Sequence, residues 1–218
     1  MWTLAFDTTT NFCSIALMKD DKAKSVFSSE MTFGQSEVLI PKIEEMLKIN
    51  EIGFQELDLL CVCTGPGSFT GVRSSIAAAR AFGLGAKNLT LCGVNAFDIY
   101  AHTLEPHQYA DRVAVIIETK REDFYVCYFD AHLNKTGAPK TAFYEDIIRD
   151  LKGHSVTFVG DGVERFLSKP SGLHVHDVCF QTHPNVEVLV HIGSFKFQGK
   201  KTDFPKPLYL KAADVCVK

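Results

Sequence analysis

The most informative stretch of the chain reads Thr64-Gly65-Pro66-Gly67-Ser68-Phe69-Thr70-Gly71-Val72-Arg73. It follows Leu57 to Cys63, a continuous apolar run of the kind that forms a buried parallel strand. After it, a segment rich in Ala and Ser predicts a helix over residues 68–86. A buried strand, a glycine turn and a helix in succession are typical of α/β proteins.

The glycines of this loop have two interpretations. Glycine lets a chain turn sharply, and it lets either a ligand or a second backbone approach closely. The first N–H groups of the following helix have no partner within the helix and can bind an anion, so Gly65, Gly67 and Ser68 are candidate anion-binding residues. In the alternative, the loop is a structural turn in which the side chain of Ser68 or Thr70 caps the helix.

The loop does not match two stricter phosphate-binding patterns. A Walker A loop requires a second glycine followed by lysine, and Thr70 stands where that glycine would be. A dinucleotide fingerprint requires G-x-G-x-x-G, but the third glycine, Gly71, is one position late. Lys87 and Asn88 occupy the zone where that fingerprint requires an acidic residue.

A second candidate site lies at the end of the first predicted strand, residues 2–6. Asp7 follows this strand directly, and Thr8 and Thr9 come next. An acidic residue at the carboxyl end of a strand in an α/β fold is well placed to hold a metal–phosphate group. The alternative is a polar turn capped by the Asp and Thr side chains.

The helix after the glycine loop is rich in small residues, which allow another helix to approach closely. This pattern fits packing on the protein's own sheet, and it also fits docking of a partner protein. A second predicted helix, over residues 36–49, would share such a docking surface. The candidate interface residues are Val38, Leu39, Gly71, Ser74, Ser75 and Ala78.

The order of the predicted elements repeats along the chain. Three strands are followed by helix, strand, helix, strand and helix up to residue 104, and a similar order begins again at Val113. We therefore expect an α/β protein of two related βββαβαβα-type domains, residues 1–106 and 107–218, the second of them reduced. The last segment is a candidate to pack back on the first domain.

Composition excludes several other classes. Of the 218 residues, 46% are hydrophobic and 22% are charged, which is ordinary for a globular protein. The net charge of −3 lacks the basic excess of a protein that grips nucleic acid unaided. The seven cysteines contain no C-x-x-C pair and suit buried thiols in a reducing cytosol. The start of the chain lacks a signal-peptide pattern, and no apolar stretch is long enough to span a bilayer, so we expect a cytoplasmic location.

Four stretches together resemble the TsaB (YeaZ) family of bacterial tRNA threonylcarbamoyladenosine synthesis. The most specific is the glycine loop, G-P-G-S-F-T-G. The supporting stretches are Leu4 to Thr9, Ile117 to Tyr125, and Pro207-Leu208-Tyr209-Leu210-Lys211 near the end. The resemblance spans nearly the whole chain.

The resemblance implies an actin-like ATPase fold, the fold of sugar kinases, Hsp70 and actin. It also implies a non-catalytic partner subunit, which supports a TsaD-type transferase together with the ATPase TsaE. ATP and metal would then be used by the complex, none would be bound by this subunit alone, and tRNA would be reached only through the complex. In the absence of TsaD, the same docking face would make a homodimer.

The resemblance also bears on metal binding. TsaD-type proteins hold metal with an H-x-x-x-H pair after the strand that follows the glycine-loop helix, and Ala96 and Tyr100 stand at those places here. Neither side chain supplies an imidazole, so we expect no metal site and no catalytic residue. The alternative is an active phosphotransferase or ATPase of the same superfold, in which Asp7 would orient a metal and the loop would touch phosphate.

Overall fold

The computed structural model describes residues 1–20 and 22–210. Its first sheet has the strand order β3-β2-β1-β4-β5, in which β1 pairs antiparallel with β2 and parallel with β4. The five strands are β1 (Trp2–Asp7), β2 (Phe12–Lys19), β3 (Lys22–Glu30), β4 (Leu59–Cys63) and β5 (Thr90–Val94). The central strands β1 and β4 are buried almost throughout, as expected for strands covered on both faces.

One face of this sheet carries large apolar side chains and two helices, α1 (Gln35–Ile49) and α2 (Phe69–Gly85). Their inward residues, among them Ile43 and Ala79, pack against Leu4, Leu17 and Val62 in a single core cluster. Because side chains alternate along a strand, the intervening residues point to the opposite face. A third helix, α3 (Ala96–Ala101), follows β5.

The opposite face carries small side chains. Ala16, Ala5, Cys61 and Cys92 are paired in register across β2, β1, β4 and β5, and all four are fully buried. A helix from late in the chain, Val186–Gln198, packs against these four strands. It approaches so closely that a Cβ at Gly193 would overlap the Sγ atom of Cys61.

The second sheet repeats the strand order of the first. Its order, β8-β7-β6-β9-β10, corresponds strand for strand to β3-β2-β1-β4-β5. The remaining elements are β6 (Arg112–Glu118), β7 (Phe124–Phe129), β8 (Lys140–Ala142), α4 (Tyr144–Leu151), β9 (Ser155–Gly160), α5 (Val163–Leu167), β10 (His174–Phe180) and α6 (Val186–Gln198). The predicted duplication and the α/β class are therefore confirmed. The second unit is reduced because α6, the helix after its last strand, packs on the first sheet.

The chain forms two compact units, and the sequence is not divided between them at the predicted boundary. One unit comprises residues 1–99 and 183–208, and the other comprises residues 100–182 with residues 209 and 210. The division therefore differs from a single boundary after residue 106, because the chain returns to the first sheet after β10. The returning segment is fastened by backbone hydrogen bonds from Gly93 N to Asp203 O (2.7 Å) and from Leu208 N to Thr64 O (2.9 Å).

Local pattern predicted most elements but missed two. Helix α5 is only five residues long, and β10 is an exposed edge strand with the polar sequence His174-Val175-His176-Asp177 at its start. Neither element has enough apolar residues in a regular period to be distinguished from a loop. Lys211, in the family-like closing stretch, lies outside the described residues.

The close approach of α6 generates a stability prediction. We expect Gly193→Ala to lower the free energy of unfolding by about 1–3 kcal/mol, because the added methyl group overlaps the sulfur of Cys61. Cys61→Ala in the same chain removes that sulfur and should recover part of the loss. Urea denaturation of the two single variants and the double variant measures this coupling.

The matched control is Gly85→Ala, at the last residue of α2, where an added Cβ meets nothing within 4 Å. It should leave stability unchanged or raise it slightly. Equal stability of Gly193→Ala and Gly85→Ala would contradict the packing described for α6.

Candidate functional site

The glycine loop lies between β4 and α2, and its neighbour is the turn between β1 and β2. A Cβ at Gly67 would overlap the carbonyl oxygen of Thr9, and a Cβ at Gly71 would overlap that of Thr8. Both glycines are therefore required for the close approach of a second backbone, and that backbone belongs to the same chain.

Hydrogen bonds fasten the two turns together. The backbone N–H of Ser68 donates to the carbonyl oxygen of Thr9 (2.6 Å). The hydroxyl of Thr8 donates to the carbonyl oxygen of Gly71 (2.9 Å) and lies 2.7 Å from the hydroxyl oxygen of Ser75. The side chain of Ser68 caps α2 by accepting a hydrogen bond from Gly71 N (3.3 Å). These contacts are those of the structural turn, while anion binding by Gly65, Gly67 and Ser68 stays a prediction.

Asp7 is fully buried at the end of β1. Its Oδ1 atom accepts a hydrogen bond from the backbone N–H of Thr9 (3.0 Å), and its Oδ2 atom has no hydrogen-bond partner among the described residues. Burial raises the pKa of this carboxyl from 3.8 to about 6, although hydrogen bonding by Thr9 acts in the opposite direction. The metal–phosphate role of Asp7 stays a prediction.

A row of polar side chains next to Asp7 reaches a histidine that sequence reasoning missed. Ser14 pairs with Asp7 across the strands, and its hydroxyl oxygen lies 2.9 Å from that of Ser28. The Ser28 hydroxyl oxygen lies 3.1 Å from Nε2 of His183, whose ring stacks on Phe12 with a centroid separation of 4.0 Å. These contacts hold residue 183, where the chain re-enters the first unit just before α6. The pairing joins residues 155 positions apart, so no local signal could have found it.

The candidate interface residues do not share one surface. Leu39, Gly71 and Ser75 are buried within the first unit, and their contact with a partner stays a prediction. Their apolar or small character serves packing on the protein's own sheet and on Thr8. Val38, Ser74 and Ala78 are only half-buried. The exposed residues of α2 include Arg73, Ala77, Arg80, Ala81 and Leu84.

The second unit has an acidic residue at the position equivalent to Asp7. Glu118 ends β6 as Asp7 ends β1, and it forms a two-pronged ion pair with Arg165, with N–O distances of 2.6 and 2.8 Å. Arg165 also donates to the carbonyl oxygen of Asp123 (2.9 Å) and lies over the ring of Phe124. Arg165 of α5 therefore binds the turn between β6 and β7, whereas the turn after Asp7 packs against Gly67 and Gly71 of the glycine loop.

In the part of the chain that the structure describes, the side chains that commonly ligate metals are not clustered. Within residues 1–20 and 22–210, no group of three or more His, Cys, Asp or Glu side chains could hold a metal ion. Ala96 and Tyr100 lie one turn apart on α3 and are both buried. In the same ranges, no helix combines the length and the apolar character needed to cross a membrane.

Comparison with known proteins identifies the family. Residues 34–218 match a family described as "TsaD: tRNA N6-adenosine threonylcarbamoyltransferase". A protein named TsaB from Escherichia coli is 29% identical over 220 residues, covering 95% of this chain and 94% of that relative. The chain belongs to the TsaB (YeaZ) branch of this family. The predicted resemblance is confirmed.

Other TsaB relatives match over shorter lengths. TsaB from Haemophilus influenzae is 32% identical over 130 residues, 56% of this chain and 51% of the relative. TsaB from Buchnera aphidicola subsp. Baizongia pistaciae is 29% identical over 126 residues, 57% of each. In these two comparisons the chain spans about half the length of the relative.

The fold of the TsaB branch is seen in a solved structure. YeaZ from Pseudomonas aeruginosa superimposes with a TM-score of 0.81 at 21% identity, covering 96% of this chain and 99% of that one. The ethanolamine utilization protein EutJ from Carboxydothermus hydrogenoformans superimposes with a TM-score of 0.51 at 12% identity, covering 88% and 90%. The duplicated α/β architecture is the actin-like ATPase fold, as the resemblance implied.

The buried carboxyl of Asp7 generates a pH-dependent prediction. Between pH 4 and 6 the folded chain holds a proton on Asp7 that the unfolded chain has released, so this group contributes less stability as the pH rises. Asp7→Asn does not titrate. We expect the free energy of unfolding of Asp7→Asn, relative to the original chain, to increase by up to about 3 kcal/mol from pH 4 to pH 7.

Denaturation with urea at several pH values measures this difference. Asp58→Asn is the control, because Asp58 is exposed. Its carboxylate accepts a hydrogen bond from the backbone N–H of Trp2 (2.7 Å). The relative stability of Asp58→Asn is measured over the same pH range, so that the effect of replacing an exposed aspartate can be subtracted. A flat profile for Asp7→Asn would show that the Asp7 carboxyl is solvated in the folded chain.

Proposed function

We propose that this chain is a non-catalytic subunit in the synthesis of threonylcarbamoyladenosine in tRNA, where it supports a TsaD-type transferase. The observation that carries the proposal is the occupation of the glycine loop by Thr8 and Thr9 of the same chain. The backbone of Thr8 and Thr9 fills the space beside Gly67 and Gly71 that an anion would need. Family membership supplies the pathway, since the relatives are named tRNA threonylcarbamoyladenosine biosynthesis proteins.

The partner surface follows from which residues of α1 and α2 are accessible. Leu84 is 90% exposed and Phe33, just before α1, is 87% exposed, and large exposed apolar side chains often mark an interaction site. The small outward residues of α2 would let a partner helix approach closely. This α1–α2 face consists of Phe33, Val38, Ser74, Ala77, Ala78, Ala81 and Leu84.

The remaining components belong to the assembled complex. A TsaE-type ATPase acts with the TsaD-type subunit, and ATP and metal are used by the complex while this subunit alone binds neither. The same α1–α2 face accommodates a second copy of the chain when TsaD is absent. A tRNA substrate places the complex in the cytoplasm, and no membrane contact is proposed.

Substitutions on α2 test the partner surface. Ala78→Phe should weaken association with the TsaD-type subunit by at least about tenfold, because a large side chain separates closely packed helices. Ala78 also touches the first unit's core, so Leu84→Asp provides a second variant at a site where a charge does not disturb folding. Calorimetric titration of each variant with the TsaD-type protein measures the affinity.

Phe143→Asp is the matched control, since Phe143 is 52% exposed and lies in the second unit just before α4. It should bind the partner as the original chain does. If Leu84→Asp bound with unchanged affinity, the α1–α2 face would not be the docking surface.

Nucleotide titration tests the non-catalytic role against the phosphotransferase alternative. We expect no saturable binding of ATP to the purified chain with or without magnesium, because Asp7 is enclosed and the loop glycines face Thr8 and Thr9. The chain alone should transfer no threonylcarbamoyl group to tRNA, and addition of TsaD and TsaE should restore the modification. Magnesium-dependent ATP binding that is lost in Asp7→Asn would establish the alternative.

A further inference from the structure

The charges of the chain are unevenly distributed. Residues 1–193 contain 17 Lys and Arg against 24 Asp and Glu, whereas residues 194–218 contain six Lys against two Asp. The net charge of −3 therefore combines an acidic body with a basic end. Electrostatic attraction to a polyanion depends on such a local excess more than on the total charge.

The described part of this basic end forms one surface of the first unit. Lys196 and Lys206 line the same cavity of about 420 Å³, together with Asn95 and Phe204. Arg80, from α2, donates to the carbonyl oxygen of Pro205 (2.8 Å) and lies 5.2 Å from the centroid of the Phe204 ring. We name this the basic surface, consisting of Arg80, Lys196, Lys200, Lys201, Phe204 and Lys206.

The nearby acidic group neutralises the surface only weakly. Asp203 forms an ion pair with Lys196 at 3.0 Å, in which the Asp203 side chain is 73% exposed and the Lys196 side chain 24% exposed. Because the carboxylate side of the pair is open to water, the pair contributes little stability, and a phosphate could replace the carboxylate as the partner of Lys196. Lys200, Lys201 and Lys206 are all exposed.

The turn that ends α6 presents two of these lysines. The N–H of Lys200 donates to the carbonyl oxygen of Phe197 (3.0 Å) and that of Lys201 to Lys196 (2.8 Å), the two bonds of a Schellman motif. Lys200 occupies the left-handed position of this motif with φ of 54°, where glycine is the favoured residue. Lys200 thus carries a positive charge at a position whose left-handed backbone conformation favours glycine.

An exposed aromatic ring completes a site for single-stranded nucleic acid. Phe204 is 56% exposed beside Lys196 and Lys206. Proteins that bind single strands combine cations along the phosphate backbone with aromatic rings on which bases stack. RNA loops present unstacked bases that can make this contact.

We infer that the basic surface binds RNA directly, contacting backbone phosphates through Lys196, Lys200, Lys201 and Lys206 and one unstacked base through Phe204. This inference rests on the proposed function for the identity of the RNA, the tRNA substrate. It differs from the expectation that tRNA is reached only through the complex, and the experiment below distinguishes the two.

The test measures fluorescence anisotropy of a labelled, unmodified tRNA transcript with the full chain over a range of salt concentrations. Lys200→Gly with Lys201→Gln should lower affinity about tenfold and reduce the slope of log K against log salt by about 1 to 2, because two phosphate contacts are lost. Glycine at residue 200 suits the observed backbone, so this variant should remain folded. Phe204→Ala should lower affinity roughly fivefold or more without changing the slope.

Two controls make the same chemical changes elsewhere. Lys120→Gly removes a lysine with φ of 59° from the second unit, and Phe180→Ala removes an aromatic ring that is 62% exposed there. Neither should alter RNA affinity. Equal losses for the test and control variants, or no binding by the original chain up to about 100 µM at low salt, would overturn the inference.

A second readout separates this inference from the proposed function. In a mixture with TsaD and TsaE, the Lys200 and Lys201 variant should raise the KM for tRNA and leave kcat unchanged. If the original chain supports modification and the variant has a normal KM, the inference fails and the proposed function stands. If the chain binds tRNA through these residues but supports no modification, the proposed function fails and the RNA site stands.

Discussion

The contact between two backbones, at the glycine loop and the β1–β2 turn, is the constraint on which the first unit depends. Side chains at Gly67 or Gly71 would occupy the space of Thr9 and Thr8. Because these turns are in contact, the start of α2 is fixed relative to β1. Ser75 is buried against Thr8, and Asp7 is fully buried at the end of β1. A loop that resembles a phosphate cradle in sequence therefore serves to join two neighbouring strand ends.

Small side chains on the other face of the sheet serve a related purpose. The row formed by Ala16, Ala5, Cys61 and Cys92 leaves room for α6 to lie directly on the strands. The large apolar residues on the α1 and α2 face fill the thicker layer there. Each face of the sheet thus has side chains matched to the depth of the helix layer that covers it.

Sequence patterns predicted local secondary structure well, but they did not predict which neighbours the side chains contact. The buried strand, glycine turn and helix around residue 65 were recognisable because their signals are contiguous. Gly71 and Ser75 were expected at an interface, but a stripe of small residues does not reveal which neighbour it meets. Arg165 and His183 were missed because their partners lie 47 and 155 residues away. Long-range packing also explains why the chain returns to the first unit after β10.

The return of the chain to its first sheet has a consequence for synthesis on the ribosome. The first unit comprises residues 1–99 and 183–208, so its five strands are translated long before the helix that covers one of their faces. Until α6 emerges, Ala5, Ala16 and Cys61 lie on an uncovered sheet face. The second unit, which is nearly continuous in sequence, can complete its core earlier. The sheet that is translated first therefore receives its covering helix only after all five strands of the second sheet have been translated, and its uncovered strands are open to aggregation during that interval.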